Sequence, residues 1–168
     1  MTTVIDIEGF QVKNKFYAKE LAVVYLSDLH TAQWIFKSPF PYTEITDKDK
    51  STVYYCEKHL HGIRWSRGHI DYNLLTPTVA SVCKSGDIVY AKGRQKKEFL
   101  QRIVPEGVDV RDLEEINCPR FEQLKVHEIE KRCALTSHQR SSHCALRKAF
   151  AFSNWLQSKV SYERENFS

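Results

Sequence analysis

The pattern of apolar and polar positions divides the chain into a strand-rich first part and a mixed second part. "TVIDIEGFQV" and "FYAKELAVVYLS" are apolar, β-branched runs, and "TAQWIFKSP" alternates apolar and polar residues until Pro39 ends it. Short runs of this composition are typical of strands. Because the three runs lie close together in the chain, we predict that they form an antiparallel meander.

The rest of the chain alternates helical and strand patterns. Helices are predicted over "STVYYCEKHLHG", "NLLTPTVASVCKSG", "RQKKEFLQRIV", "PRFEQLKVHEIEKR" and "SSHCALRKAFAFSNWLQSKV", and short strands over "DIVYAKG" and "VDVRDLEEI". This order predicts an α/β fold, with a mixed five-stranded sheet of a three-strand meander plus parallel strands, flanked by helices. It is the element order of the ribonuclease H-like fold, and we expect a single domain over residues 1–168.

Composition narrows the class of protein. The chain has 168 residues, of which 42% are hydrophobic, enough for one core. No apolar run approaches the ~20 residues that cross a bilayer, and the N-terminus lacks a basic signal region. We expect an intracellular protein of the cytoplasm or nucleus, neither secreted nor membrane-bound. The five cysteines are then expected to be reduced thiols or metal ligands and not disulfides.

Positive charge concentrates in two segments of the chain. The formal net charge is only +4, but one basic cluster follows the predicted "DIVYAKG" strand and another lies on the last helix. Such clusters suit a phosphate backbone, and a solvated basic face is the alternative interpretation. The candidate nucleic-acid-binding residues are Lys92, Arg94, Lys96, Lys97, Arg147 and Lys148.

Two acids interrupt the first apolar strand. Asp6 and Glu8 lie inside "VIDIEGF", and carboxylates rarely enter a core unless they are paired or bind a metal. Alternate residues of a strand point to the same side. The pair is therefore a candidate half of a metal-dependent site.

Four segments together resemble a known family. "IDIEGF", "KELAVVYLSD" with "WIFKSPFP", "HGIRW" and "SSHCALRKAFAFSNWL" are similar to the motifs of DnaQ-type (DEDD) 3′–5′ exonuclease domains. The resemblance implies four carboxylates that hold two divalent metals and a histidine that deprotonates the attacking water. It assigns the first two acids to Asp6 and Glu8, and the base to His143.

The chain departs from the family at the other two acids. Aligning the helix after "DIVYAKG" on Phe99-Leu100 places Lys96 at the third carboxylate position. The fourth position, four residues after His143, is occupied by Arg147. Cations at these positions oppose the binding of Mg²⁺.

We therefore interpret Asp6, Glu8 and His143 as relics of a catalytic site, with Lys96 as an ion-pair partner that replaces metal charge. The alternative is an active ribonuclease that uses Asp6 and Glu8 with Mg²⁺ or Mn²⁺, with Glu98 as the third acid.

A group of cysteines and histidines near the C-terminus predicts a second kind of site. Cys133-x₄-His138-x₅-Cys144, with Cys118 fifteen residues earlier, offers soft ligands that suit tetrahedral Zn²⁺. We predict a structural zinc site in a portion spanning about 118–144. The alternative is that the cysteines are small core residues and the histidines lie on the surface.

A degenerate DnaQ-type domain with a Glu-Cys-His-Cys zinc site resembles the Maelstrom domain, with Cys118 here in the place of the glutamate. That resemblance implies binding of single-stranded RNA. The sequence thus predicts a nucleic-acid-binding module on an inactivated, zinc-stabilised exonuclease fold. An active nuclease and a protein-interaction adaptor domain remain the alternatives, so protein partners stay open.

Overall fold

The computed structural model describes residues 1–124, 133 and 143–167. The strands and helices are β1 Thr2–Val12, β2 Lys15–Tyr25, β3 Thr31–Ile35, α1 Asp47–His59, α2 Leu75–Val82, β4 Ile88–Ala91, α3 Arg94–Gln101, β5 Asp109–Asp112 and α4 Ala145–Phe167. Single 3₁₀ turns occur at Tyr42–Glu44, Tyr72–Leu74, Leu113–Ile116 and Phe121–Gln123. No helix among these residues has the length and apolar character to span a membrane.

The strands form one five-stranded sheet in the order β3-β2-β1-β4-β5. β1 pairs antiparallel with β2, and β2 with β3, whereas β4 runs parallel to both β1 and β5. The predicted α/β architecture, an antiparallel meander joined to parallel strands, is confirmed. β1 lies at the centre of the sheet.

Helices cover both faces of the sheet. Val4 of β1 packs on one face with Leu146 and Phe150 of α4. Ile5 packs on the other face with Val79 of α2. Because neither face of the central strands meets water, β1 and β2 have near-continuous apolar sequences.

Two predicted helices differ from the structure. The helix predicted over "STVYYCEKHLHG" begins earlier, at Asp47, because the Thr46 side chain accepts a hydrogen bond from the Asp49 N–H and caps it. The helix predicted from Pro119 is reduced, over the residues described there, to one 3₁₀ turn. The remainder of that prediction lies outside the described residues.

A β-bulge bends β1 beside the acid pair. The register with β2 shifts between Glu8 and Gly9, and a Cβ on Gly9 would lie 2.0 Å from the backbone oxygen of Tyr17. The His61 Nδ1 accepts from the Ile63 N–H (3.1 Å), so its Nε2 donates to the Gly9 carbonyl (2.9 Å). Glycine is required here for this close approach of two backbones.

We expect Gly9→Ala to lower the free energy of unfolding by about 3 kcal/mol, because the new methyl group meets a backbone atom that cannot rotate away. Gly86→Ala is the control, since no atom lies within 4 Å of its Cβ position and only backbone strain of about 1 kcal/mol remains. Urea unfolding measures both values. Equal losses would contradict the steric account of the bulge.

A charge-paired acid cluster and a candidate metal centre

Asp6 and Glu8 meet two lysines from distant helices. The Lys96 Nζ of α3 lies 2.6 Å from Asp6 Oδ1 and 3.4 Å from Glu8 Oε1. The Lys148 Nζ of α4 lies 2.8 Å from Glu8 Oε1. We call Asp6, Glu8, Lys96 and Lys148 the acid–lysine cluster. Two carboxylates and two ammonium groups balance one another in charge.

The cation of α4 that reaches Glu8 is Lys148. Its neighbour Arg147 is the residue that the resemblance placed at the fourth carboxylate position. The guanidinium carbon of Arg147 instead lies 6.0 Å from the centre of the Phe121 ring. Neighbouring residues of a helix are rotated by about 100°, so an offset of one position moves a side chain to another face. The predicted partnership of Lys96 with the acids does occur in the structure.

Burial and ion pairing act against each other on the pKa values of the cluster. Burial raises the pKa of Asp6 despite the attraction of Lys96. Burial also acts to raise the pKa of Glu8, but the positive charges of Lys96 and Lys148 outweigh it, and the result is a lowered pKa. For Lys96, burial is outweighed by the two carboxylates, which raise its pKa above the ordinary value.

His143, the predicted catalytic base, lies close enough to the acid–lysine cluster to interact electrostatically with its charged groups. Burial lowers the pKa of His143, and the positive charge of Lys148 acts in the same direction. A histidine whose pKa lies below its ordinary value is neutral at pH 7. The described structure thus retains the histidine, two acids and two cations in one region.

A second group of buried polar side chains lies where α4 begins. One ligand atom each from Glu20, Cys133 and Cys144 lies within 4.8 Å of the others. The two sulfurs are 3.6 Å apart. The Glu20 carboxylate accepts a hydrogen bond from the backbone N–H of Ala145 (2.5 Å) and another from the Gln33 side chain (2.8 Å). A carboxylate and two thiols are a donor set that fits Zn²⁺.

The composition of this group corrects the predicted ligand set. Cys133 and Cys144 belong to it, but Glu20 of β2 stands where the sequence predicted Cys118. The Cys118 sulfur contacts the Pro119 carbonyl (3.6 Å), and burial raises its pKa to about 11. His138, the fourth predicted ligand, lies outside the described residues.

Glu20 was missed although the sequence carried a signal for it. It begins the apolar run "ELAVVY" in a strand predicted to be buried, so its carboxylate needs a partner for the same reason as those of Asp6 and Glu8. A buried carboxylate needs a cation or a metal. The register pairs Glu20 directly with Glu8.

Three of the lysines and arginines predicted to bind nucleic acid are paired with acids of their own surroundings. These pairs are Lys92–Glu114 (3.5 Å), Arg94–Glu98 (2.7 Å) and Lys97–Glu115 (3.4 Å). Lys96 and Lys148, in the acid–lysine cluster, likewise have carboxylates within ion-pair distance. Their charge is partly compensated before any ligand arrives.

We expect Lys96→Met to lower the free energy of unfolding by about 3 kcal/mol at pH 7, because it leaves Asp6 buried without its closest cation. The loss of the cation raises the pKa of Asp6 further above its unfolded value. The folded variant then binds a proton more tightly than the unfolded chain, so the deficit grows as the pH rises through that pKa and shrinks as the pH falls towards 4.

Arg94→Met is the matched control, because it removes an exposed cation of the same helix, whose pair with Glu98 lies in solvent. Urea unfolding at pH 5 and pH 7 separates the two. A loss for Lys96→Met that is no larger than the control's, or that does not depend on pH, would contradict the buried pairing.

The fold is similar to that of an exonuclease domain from Mopeia virus, described as fully depleted of manganese. The two share 18% sequence identity with a TM-score of 0.53, and the match covers 94% of this chain and 76% of the viral one. This similarity shows that the chain has the fold of an exonuclease domain. No protein-family model matches the chain, and no curated protein does.

Proposed function

We propose that this chain is a nucleic-acid-binding module, with single-stranded RNA as its ligand, on an exonuclease fold that no longer cleaves. The observation that supports the loss of cleavage is the acid–lysine cluster. Lys96 and Lys148 bring two ammonium groups to the carboxylates that would otherwise hold metal.

A two-metal site does not fit the residues present. Two-metal phosphodiester hydrolysis needs several carboxylates around two divalent ions ~4 Å apart. Here the oxygens of Asp6 and Glu8 already face ammonium groups at 2.6 Å and 2.8 Å. A divalent ion at that distance from the same oxygens would repel both lysines. The retained acids and His143 therefore serve structure, and the fold keeps its shape without Mg²⁺ or Mn²⁺.

Affinity for RNA is proposed on two supports. The fold is that of a nuclease, whose clefts accommodate a polynucleotide, and the chain carries a formal net charge of +4. An excess of positive charge attracts a phosphate backbone at long range. An active ribonuclease remains the alternative, and the same experiment distinguishes it.

We expect the wild-type chain to bind a labelled oligouridylate in a salt-dependent manner and to leave it intact with Mg²⁺, Mn²⁺ or EDTA.

Lys96→Asp combined with Lys148→Asp converts both cations of the cluster to acids. We expect this double variant to bind Mn²⁺ and to gain Mn²⁺-dependent cleavage, because four carboxylates and His143 then surround the site. Calorimetry measures the binding of Mn²⁺, and gel electrophoresis of the labelled oligouridylate measures its cleavage.

The control is Lys96→Asp combined with Arg147→Asp, which makes the same charge change but places the second acid beside Phe121. It should gain neither Mn²⁺ binding nor cleavage. Metal-dependent cleavage by the wild-type chain that Asp6→Asn abolishes would overturn the proposal in favour of an active nuclease.

We further propose that Glu20, Cys133 and Cys144, with His138 as the fourth ligand, hold a structural Zn²⁺ ion. The support is the convergence of a buried carboxylate and two buried thiols on one point. Bound zinc would keep the thiols deprotonated and link β2 to the start of α4. The set has the Glu-Cys-His-Cys composition that the Maelstrom-type resemblance implies.

Elemental analysis is expected to find one zinc per chain, and chelation to reduce the free energy of unfolding by about 3 kcal/mol or more, because zinc binds only the folded arrangement. Glu20→Gln and Cys144→Ser should each lower the zinc content.

Cys118→Ser is the control, because Cys118 is also buried but does not join the group. It should keep a full complement of zinc. A protein that contains no zinc and whose stability does not change on chelation would contradict the site.

A further inference from the structure

We infer that the second half of α1 and the loop that follows it form the surface that binds a segment of single-stranded nucleic acid. The inference rests on the proposed function and locates the contact. The surface is a cleft of about 690 Å³ lined by Tyr54, Glu57, Lys58, Gly62, Arg64 and Arg67. We call it the α1 cleft.

The α1 cleft carries three cations and one acid, so its lining has a net positive charge. Lys58, Arg64 and Arg67 are exposed, and none has a carboxylate within ion-pair distance among the described residues. The one acid of the lining, Glu57, accepts a hydrogen bond from the backbone N–H of Trp65 (3.1 Å). This contrasts with the ion-paired cations on and around α3. Free cations cost less to bring to phosphates than paired ones.

The loop that carries both arginines is held from inside the protein. The ammonium group of Lys19, which is fully buried, donates to the carbonyls of Trp65 (3.0 Å) and Arg67. Burial lowers the pKa of Lys19 to about 8. Burying a charged lysine costs free energy. Here the hydrogen bonds of Lys19 fix the backbone of the loop that contains Arg64 and Arg67. A fixed loop loses less entropy when a ligand binds.

The α1 cleft also offers an aromatic face for a base. Tyr54 is 58% exposed, and the Lys58 Nζ lies 5.5 Å from the centre of its ring. An exposed ring beside free cations is the combination that proteins use to bind single strands, with bases stacked on the ring and phosphates on the cations. A stretch of one or two nucleotides matches the size of the cleft.

The test is fluorescence anisotropy of the full chain with a labelled oligouridylate across a range of salt concentrations. We expect Arg64→Gln with Arg67→Gln to weaken binding at least tenfold and to reduce the salt slope by about 1.4, the value for two lost phosphate contacts on a single strand. Lys84→Gln with Arg164→Gln is the control, because it removes two exposed cations away from the cleft. It should change the affinity less than twofold.

A second pair of variants tests stacking. Tyr54→Ser should weaken binding by roughly tenfold, the effect of losing one stacked base, and Tyr54→Phe should retain it. Tyr55 is 54% exposed on the same helix but does not line the cleft, so Tyr55→Ser should bind as the wild type does. Thermal unfolding of each variant checks that the fold is intact.

Three outcomes would overturn the inference, and they are distinguishable. Failure of the wild-type chain to bind the oligonucleotide overturns the proposed function and this inference with it. Binding that the arginine variant weakens no more than its control overturns only the α1 cleft as the contact. Equal competition by polyglutamate would assign the cleft to an acidic protein segment instead.

Discussion

Asp6 and Glu8 lie on the central strand of the sheet, where a carboxylate loses its hydration and needs a positive partner within the protein. Lys96 reaches them from α3 and Lys148 reaches them from α4. α4 packs on β1 and β2, whereas α3 packs beside β4 and β5, so the ion pairs join segments about 90 and 140 residues apart in sequence. The ion pairs thus add a polar connection to the apolar packing of both helices.

The start of α4 serves both polar sites. The Ala145 N–H donates to Glu20, Cys144 lies just before the helix, and Lys148 reaches Glu8 one turn later. Glu8 and Glu20 are neighbours across β1 and β2, so α4 covers two acids side by side. One acid is balanced by lysines, and a soft-ligand group surrounds the other.

Local patterns were sufficient for most of the fold. Continuous apolar runs identified β1 and β2, and helical spacing of Leu146 and Phe150 identified α4, because these periodicities follow from backbone geometry alone. The predicted helix began later than α1 does, because the capping residue Thr46 lies in a charged segment whose composition is typical of a loop. The helix predicted from Pro119 is not present over the described residues 119–124, since a proline start and apolar spacing do not by themselves stabilise a helix.

The sequence by itself determined that Asp6 and Glu8 share one strand, that Lys96 is a candidate partner for them, and that Cys133 and Cys144 are candidate ligands. Residue type, short spacing and the resemblance to a family carry that information. Only the tertiary structure decided that Lys148 and not Arg147 completes the cluster, and that Glu20 and not Cys118 joins the cysteines. Both choices depend on the rotation of a helix and on the pairing of strands. Contacts between residues more than 100 positions apart arise from packing, which no local spacing encodes.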